Sequence, residues 1–70
     1  MFQVLSDIAG VVIQVLVAEG DEVARGSEVV ILESMKMEHP IESGDPGRVA
    51  KILVAEGDFV EEGQAVLEVE

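Results

Sequence analysis

Apolar residues along this chain fall into short runs, each closed by glycine, proline or an acidic cluster. Val11 to Val17, Val29 to Leu32, Arg48 to Val54 and Ala65 to Val69 are such runs, rich in valine, isoleucine and leucine. Valine and isoleucine fit a pleated, half-buried surface, so the four runs are predicted as strands. Some alternate apolar with polar positions, whereas Val29-Val30-Ile31-Leu32 is continuous, the pattern expected of a strand covered on both faces. No segment sustains a helical period. Glycines at 10, 20, 26, 44, 47, 57 and 63 punctuate the runs, and Asp45-Pro46-Gly47 is a turn signal.

The runs are copies of one another. Gly10 to Glu33 aligns with Gly47 to Glu70 at a constant offset of 37 without a gap, and half of the paired positions are identical. Leu16-Val17-Ala18-Glu19-Gly20-Asp21 recurs as Leu53-Val54-Ala55-Glu56-Gly57-Asp58, and Val23, Gly26, Val29 and Glu33 recur as Val60, Gly63, Val66 and Glu70. Two copies are too few for a solenoid, whose units bury their apolar faces only against stacked neighbours. The repeats 10–33 and 47–70 therefore predict one domain over 1–70 with internal pseudo-two-fold symmetry. In each copy the Ala-Glu-Gly-Asp segment followed by a further glycine predicts a reversal that carries the chain between sheets, with Gly20 and Gly57 at positive φ. The architecture expected is all-β: two antiparallel sheets packed as a flattened barrel or sandwich, with both repeats contributing to each sheet.

Between the copies lies Glu33-Ser34-Met35-Lys36-Met37, followed by a return of apolar character at Ile41. A hairpin is predicted here. With Met35 and Lys36 as its two-residue turn, Ser34 faces Met37 and Glu33 faces Glu38. Such turns prefer Asn-Gly, which is absent, and like charges oppose each other just below the tip. Local rules broken together mark a functional site more often than a structural one. Lys36 thus becomes the leading candidate residue.

Composition narrows the function classes. There is no cysteine and only one histidine, His39, so disulfides, thiolate zinc sites and cysteine nucleophiles are excluded. A reducing cytoplasm suits this composition. No apolar run approaches the roughly 20 residues of a membrane span, and no basic region precedes an apolar stretch at the start, so a soluble protein is expected. Fifteen acidic residues against four basic ones leave a formal net charge of −11. Arg25, Lys36, Arg48 and Lys51 are scattered along the sequence, which argues against binding nucleic acid. The acids lack the alternating oxygen spacing of a calcium loop, so no metal site is expected. His39, next to Pro40, is expected to be structural.

Met35-Lys36-Met37 after a short acidic segment, set between halves that repeat a hydrophobic-Glu-Gly-Asp sequence, resembles the biotinyl domain of biotin-dependent carboxylases. The resemblance spans nearly the whole chain. It implies a flattened eight-stranded barrel with the lysine at a hairpin tip and both termini at the opposite end. By the same resemblance, Lys36 carries biotin through an amide made by a biotin protein ligase. Met35 and Met37 would be flanks read by the ligase or by partner active sites, and Glu33 a candidate ligase contact. The carrier would shuttle a carboxyl group between biotin carboxylase and carboxyltransferase sites without being an enzyme itself.

Some positions depart from the common pattern. Ser34 stands where many relatives have alanine, and Ser6 to Ala9 where many have a proline-rich stretch. The first repeat runs from Gly20 to Val29 without insertion, so the protruding thumb of typical bacterial carrier subunits is missing, as is the usual linker rich in proline and alanine. The chain thus resembles a short stand-alone carrier or the C-terminal domain of a larger acyl-CoA carboxylase subunit. Alternatives are a lipoyl domain, a domain accepting either biotin or lipoate, and an unmodified interaction module. Lipoyl lysines are usually flanked by Asp and Ala, and methionine on both sides argues for biotin.

Overall fold

A computed structural model describes all residues, 1–70. The chain forms eight strands: β1 (Phe2–Leu5), β2 (Gly10–Val15), β3 (Glu22–Val23), β4 (Glu28–Ser34), β5 (Met37–Glu42), β6 (Gly47–Ile52), β7 (Phe59–Val60) and β8 (Ala65–Val69). They make two four-stranded antiparallel sheets, ordered β1-β8-β6-β3 and β5-β4-β2-β7. No helix is long and apolar enough to cross a membrane.

Outside the hairpin tip, most pairings in one sheet have a counterpart 37 residues away in the other. Leu32 opposite His39 corresponds to Val69 opposite Phe2, and Gly10 opposite Val60 corresponds to Gly47 opposite Val23. Irregularities in register recur too. The β2–β4 ladder shifts around Ile13 and the β6–β8 ladder around Ala50, while Val29 and Val66 are the extra residues in the β4–β5 and β1–β8 ladders. The equivalence therefore reaches back beyond Gly10 and Gly47 to β1 and β5. Ser34 to Glu38 alone has no counterpart between those limits.

These bulges correct the reading of Val29 to Leu32 as a strand covered on both faces. Val29 and Val30 are both fully buried, Ile31 is half-buried and Leu32 is fully buried. An extra residue in an antiparallel ladder bends the strand, which lets two consecutive side chains enter one core. Ile31 then faces outward. Val66 and Leu67 repeat this device in β8.

Thirteen buried residues form one core between the sheets, including Val12, Val30, Leu32, Val49, Val60, Leu67 and Val69. Burying a valine or leucine fully contributes roughly 1.5–3 kcal/mol, so this small valine-rich layer is the main source of cohesion. Two kinds of turn deliver strands to it. In the first, Asp21 accepts from Ala18 N–H at 2.8 Å and Asp58 from Ala55 N–H at 2.9 Å, and the intervening Gly20 and Gly57 both have φ of 94°. Gly20 N–H then donates to Val49 O, and Gly57 N–H to Val12 O, each at 2.8 Å, tying the turn to the other repeat. In the second, Gly26 and Gly63 also hold positive φ, beyond the two glycines for which the turn sequence predicts it.

Candidate functional site

The hairpin β4–β5 is built from its buried end outward. Val30 opposite Ile41 and Leu32 opposite His39 anchor it, the first pair buried and His39 half-buried. Above them Glu33 faces Glu38, Ser34 faces Met37, and Met35-Lys36 makes the turn. Met35 has φ of 53° and Lys36 φ of 65°. Two consecutive left-handed residues are the geometry that matches the right-handed twist of a tight hairpin, yet neither residue type favours it. Holding each there costs about 1–2 kcal/mol.

Nothing apolar repays that strain at the tip. Met35 is 92% exposed and Met37 63% exposed, which excludes a packing role for either in this structure. Lys36 is exposed as well. Below the turn, the exposed carboxylates of Glu33 and Glu38 lie directly opposite each other, an unfavourable pairing of like charges. A flexible side chain thus stands on a strained turn whose base is firmly packed.

Gly10 secures that base, a role that strand and turn patterns did not reveal. A Cβ at this position would stand 2.6 Å from Glu33 O and 3.4 Å from Ser34 Cβ, so β2 approaches the hairpin as closely as only glycine permits. The signal was present in the repeat, because Gly47 meets Glu70 and Val69 in the same way. Of the candidate residues, Glu33, Met35, Lys36 and Met37 lie together at one end of β4–β5, whereas His39 is turned partly into the core opposite Leu32. Lys51, the other lysine, lies on β6 in the other sheet.

Comparison with known proteins places this geometry in a class. The family model for biotin and lipoyl attachment, described as biotin-requiring enzyme, matches residues 3–69. The chain belongs to the biotin/lipoyl attachment family. The biotinylated protein TB7.3 homolog of Mycobacterium leprae is 46% identical over 46 residues, covering 66% of this chain and 65% of that protein. The alpha chain of mitochondrial propionyl-CoA carboxylase from Homo sapiens is 43% identical over 44 residues, covering 63% of this chain and 6% of the relative. Among solved structures, urea carboxylase of Kluyveromyces lactis superposes with a TM-score of 0.93 at 35% identity, covering 99% of this chain and 6% of that one. A single-chain, multi-domain long-chain acyl-CoA carboxylase gives a TM-score of 0.87 at 33% identity, covering 94% of this chain and 7% of that one. The chain thus spans just under two thirds of one relative and a small fraction of the carboxylase chains.

Proposed function

We propose that this chain is a biotin carboxyl carrier domain and that Lys36 is its attachment residue. The observation that carries the reading is the position of Lys36: exposed, on a left-handed two-residue turn, in the short segment that the rest of the chain does not duplicate. In this reading residues 1–70 act as one domain, a flattened barrel whose halves are related by a pseudo-two-fold axis. The biotinylated relatives favour biotin over lipoate as the group carried.

The residues at the tip suit covalent loading. An amide forms when the uncharged Lys36 Nζ attacks an activated biotin carboxyl carbon, the activating group leaves, and the amine gives up a proton. The exposed stem leaves Nζ accessible to a biotin protein ligase, and Met35 and Met37 offer apolar contacts on either side. When bound, biotin supplies a ureido nitrogen able to carry a carboxyl group between biotin carboxylase and carboxyltransferase sites. The protein's contribution is mechanical. Gly10, the buried Val30–Ile41 pair and the buried Leu32 hold the base of the hairpin, while the lysine stem provides reach, and tethering raises the local concentration of the group it carries. No acid, base or nucleophile of the chain is assigned to the carboxylation.

The test is incubation with biotin protein ligase, biotin and ATP, comparing the unaltered chain with Lys36→Arg and Lys51→Arg. One biotinyl addition is expected for the unaltered chain and for Lys51→Arg, and none for Lys36→Arg. Addition to Lys36→Arg would contradict the assignment. Addition only with a lipoyl ligase and lipoate would replace the carboxyl-carrier reading with acyl-group chemistry.

A further inference from the structure

The two sheets share a backbone plan but have different outer surfaces. On the sheet β1-β8-β6-β3, exposed Glu22 pairs with exposed Arg48, and Arg48 and Glu70 exchange backbone hydrogen bonds of 2.8 and 3.4 Å. The next outward row there is Lys51, Glu68 and Gln3. The corresponding rows on the sheet β5-β4-β2-β7 are Phe59, Val11 and Glu33, then Gln14, Ile31 and Pro40. Phe59 is 63% exposed, and Val11 and Ile13 are also solvent-facing. The fold does not require these apolar groups, because the other repeat builds equivalent strands with Glu22, Arg48 and Glu68. The other sheet also leaves Leu5 51% exposed on its edge strand β1, but the rows beside it are charged. Phe59, Val11 and Ile31 instead lie on the adjacent strands β7, β2 and β4, and a contiguous apolar patch of this kind marks an interaction site.

Carboxylates close this apolar stripe at both ends. Glu33 opposes Glu38 beside the hairpin tip, and Glu28 opposes Glu42 at the far end, all four exposed. No lysine or arginine occurs in β2, β4, β5 or β7. A second copy of the chain would bring like charges together, on top of a formal net charge of −11 per chain. A basic-rimmed apolar patch on a different protein is the complementary surface.

We propose that the outer face of β5-β4-β2-β7, centred on Phe59, Val11 and Ile31, is the docking surface for the biotin protein ligase, which meets it with an apolar patch bordered by lysine and arginine. The inference rests on the assignment of Lys36 as the attachment residue. Before modification the lysine stem is short, so the ligase must press against the hairpin itself. A standard interface removes about 800 Å² of surface per partner. The whole chain exposes 4251 Å², and a two-residue turn supplies little of what is needed. The Phe59-Val11-Glu33-Glu38 row lies one register step below the Ser34–Met37 pair and is the adjoining surface. After biotin is attached the reach lengthens, and sites acting on its far end require less contact with this face.

The test is steady-state biotinylation by biotin protein ligase, followed by intact mass over a range of carrier concentrations. Phe59→Glu, Val11→Arg and Ile31→Glu together install residues that the other repeat already carries at equivalent strand positions. The expected result is a KM raised tenfold or more with kcat changed by less than twofold, and a far-UV circular dichroism spectrum like that of the unaltered chain. Phe59→Glu alone, at a largely exposed site, is expected to raise KM at least threefold and serves if the triple variant does not fold. Raising salt should increase KM for the unaltered chain, and Glu28→Gln with Glu42→Gln should reduce that salt dependence. An unchanged KM for folded Phe59→Glu would overturn the docking surface while leaving Lys36 as the attachment residue. Absence of biotin addition to the unaltered chain would instead overturn the attachment assignment on which the surface rests.

Discussion

Met35→Asn is predicted to stabilise the protein while impairing its loading. Met35 holds φ of 53° and is 92% exposed, so the native side chain contributes strain and almost no burial. A non-glycine residue in the left-handed region costs about 1–2 kcal/mol, and asparagine recovers part of this because its short polar side chain bonds locally to the backbone. With little apolar contact to lose, the net gain should be about 0.5–1 kcal/mol. One kcal/mol moves Tm by roughly 4–8 °C in a domain of this size, so an increase of about 2–8 °C is expected. Circular dichroism melting checks the stability, and ligase-catalysed biotin addition checks the loading, which should slow if the methionine is read directly. An unchanged or lower Tm would refute the claim that this turn keeps its methionine at the expense of stability.

Other substitutions test the support beneath the tip. Gly10→Val should destabilise by about 2 kcal/mol or more, the scale of an overpacked site, because its new Cβ would meet Glu33 O at 2.6 Å; an unchanged chemical-denaturation midpoint would contradict that close approach. Gly57→Val places a β-branched residue at φ of 94°, where no Cβ clash exists, so strain alone should lower stability by about 1–3 kcal/mol, measurable by urea unfolding. Asp21→Ala and Asp58→Ala each remove one backbone-capping bond and should cost about 1 kcal/mol apiece in the same assay.

The repeated strands and their acid-glycine turns were legible because identity is high where both copies must make the same sharp reversal. Equivalence between β1 and β5 was not legible. Across residues 2–9 and 39–46 the offset preserves only Ser6 and Ser43, which are buried and bond to Ile8 O and Asp45 O through their hydroxyls. Buried positions there require similar volume more than identity, as with Val4 and Ile41. β3 and β7 have two residues each, too few to display a period. The hairpin register was readable because Glu33-Glu38 and Ser34-Met37 follow from the choice of turn. The outward position of Ile31 was not, since a bulge at Val29 shifts which residues share a face, and the asymmetry between the two outer surfaces depends on that shift.

The most direct measurement is a peptide map of the protein recovered from the cells that normally make it, without added ligase, combined with intact mass. The account predicts a single biotinyl addition, located on the peptide containing Lys36. Biotin at Lys51, lipoate at Lys36, or a fully unmodified chain from cells replete with biotin would contradict it.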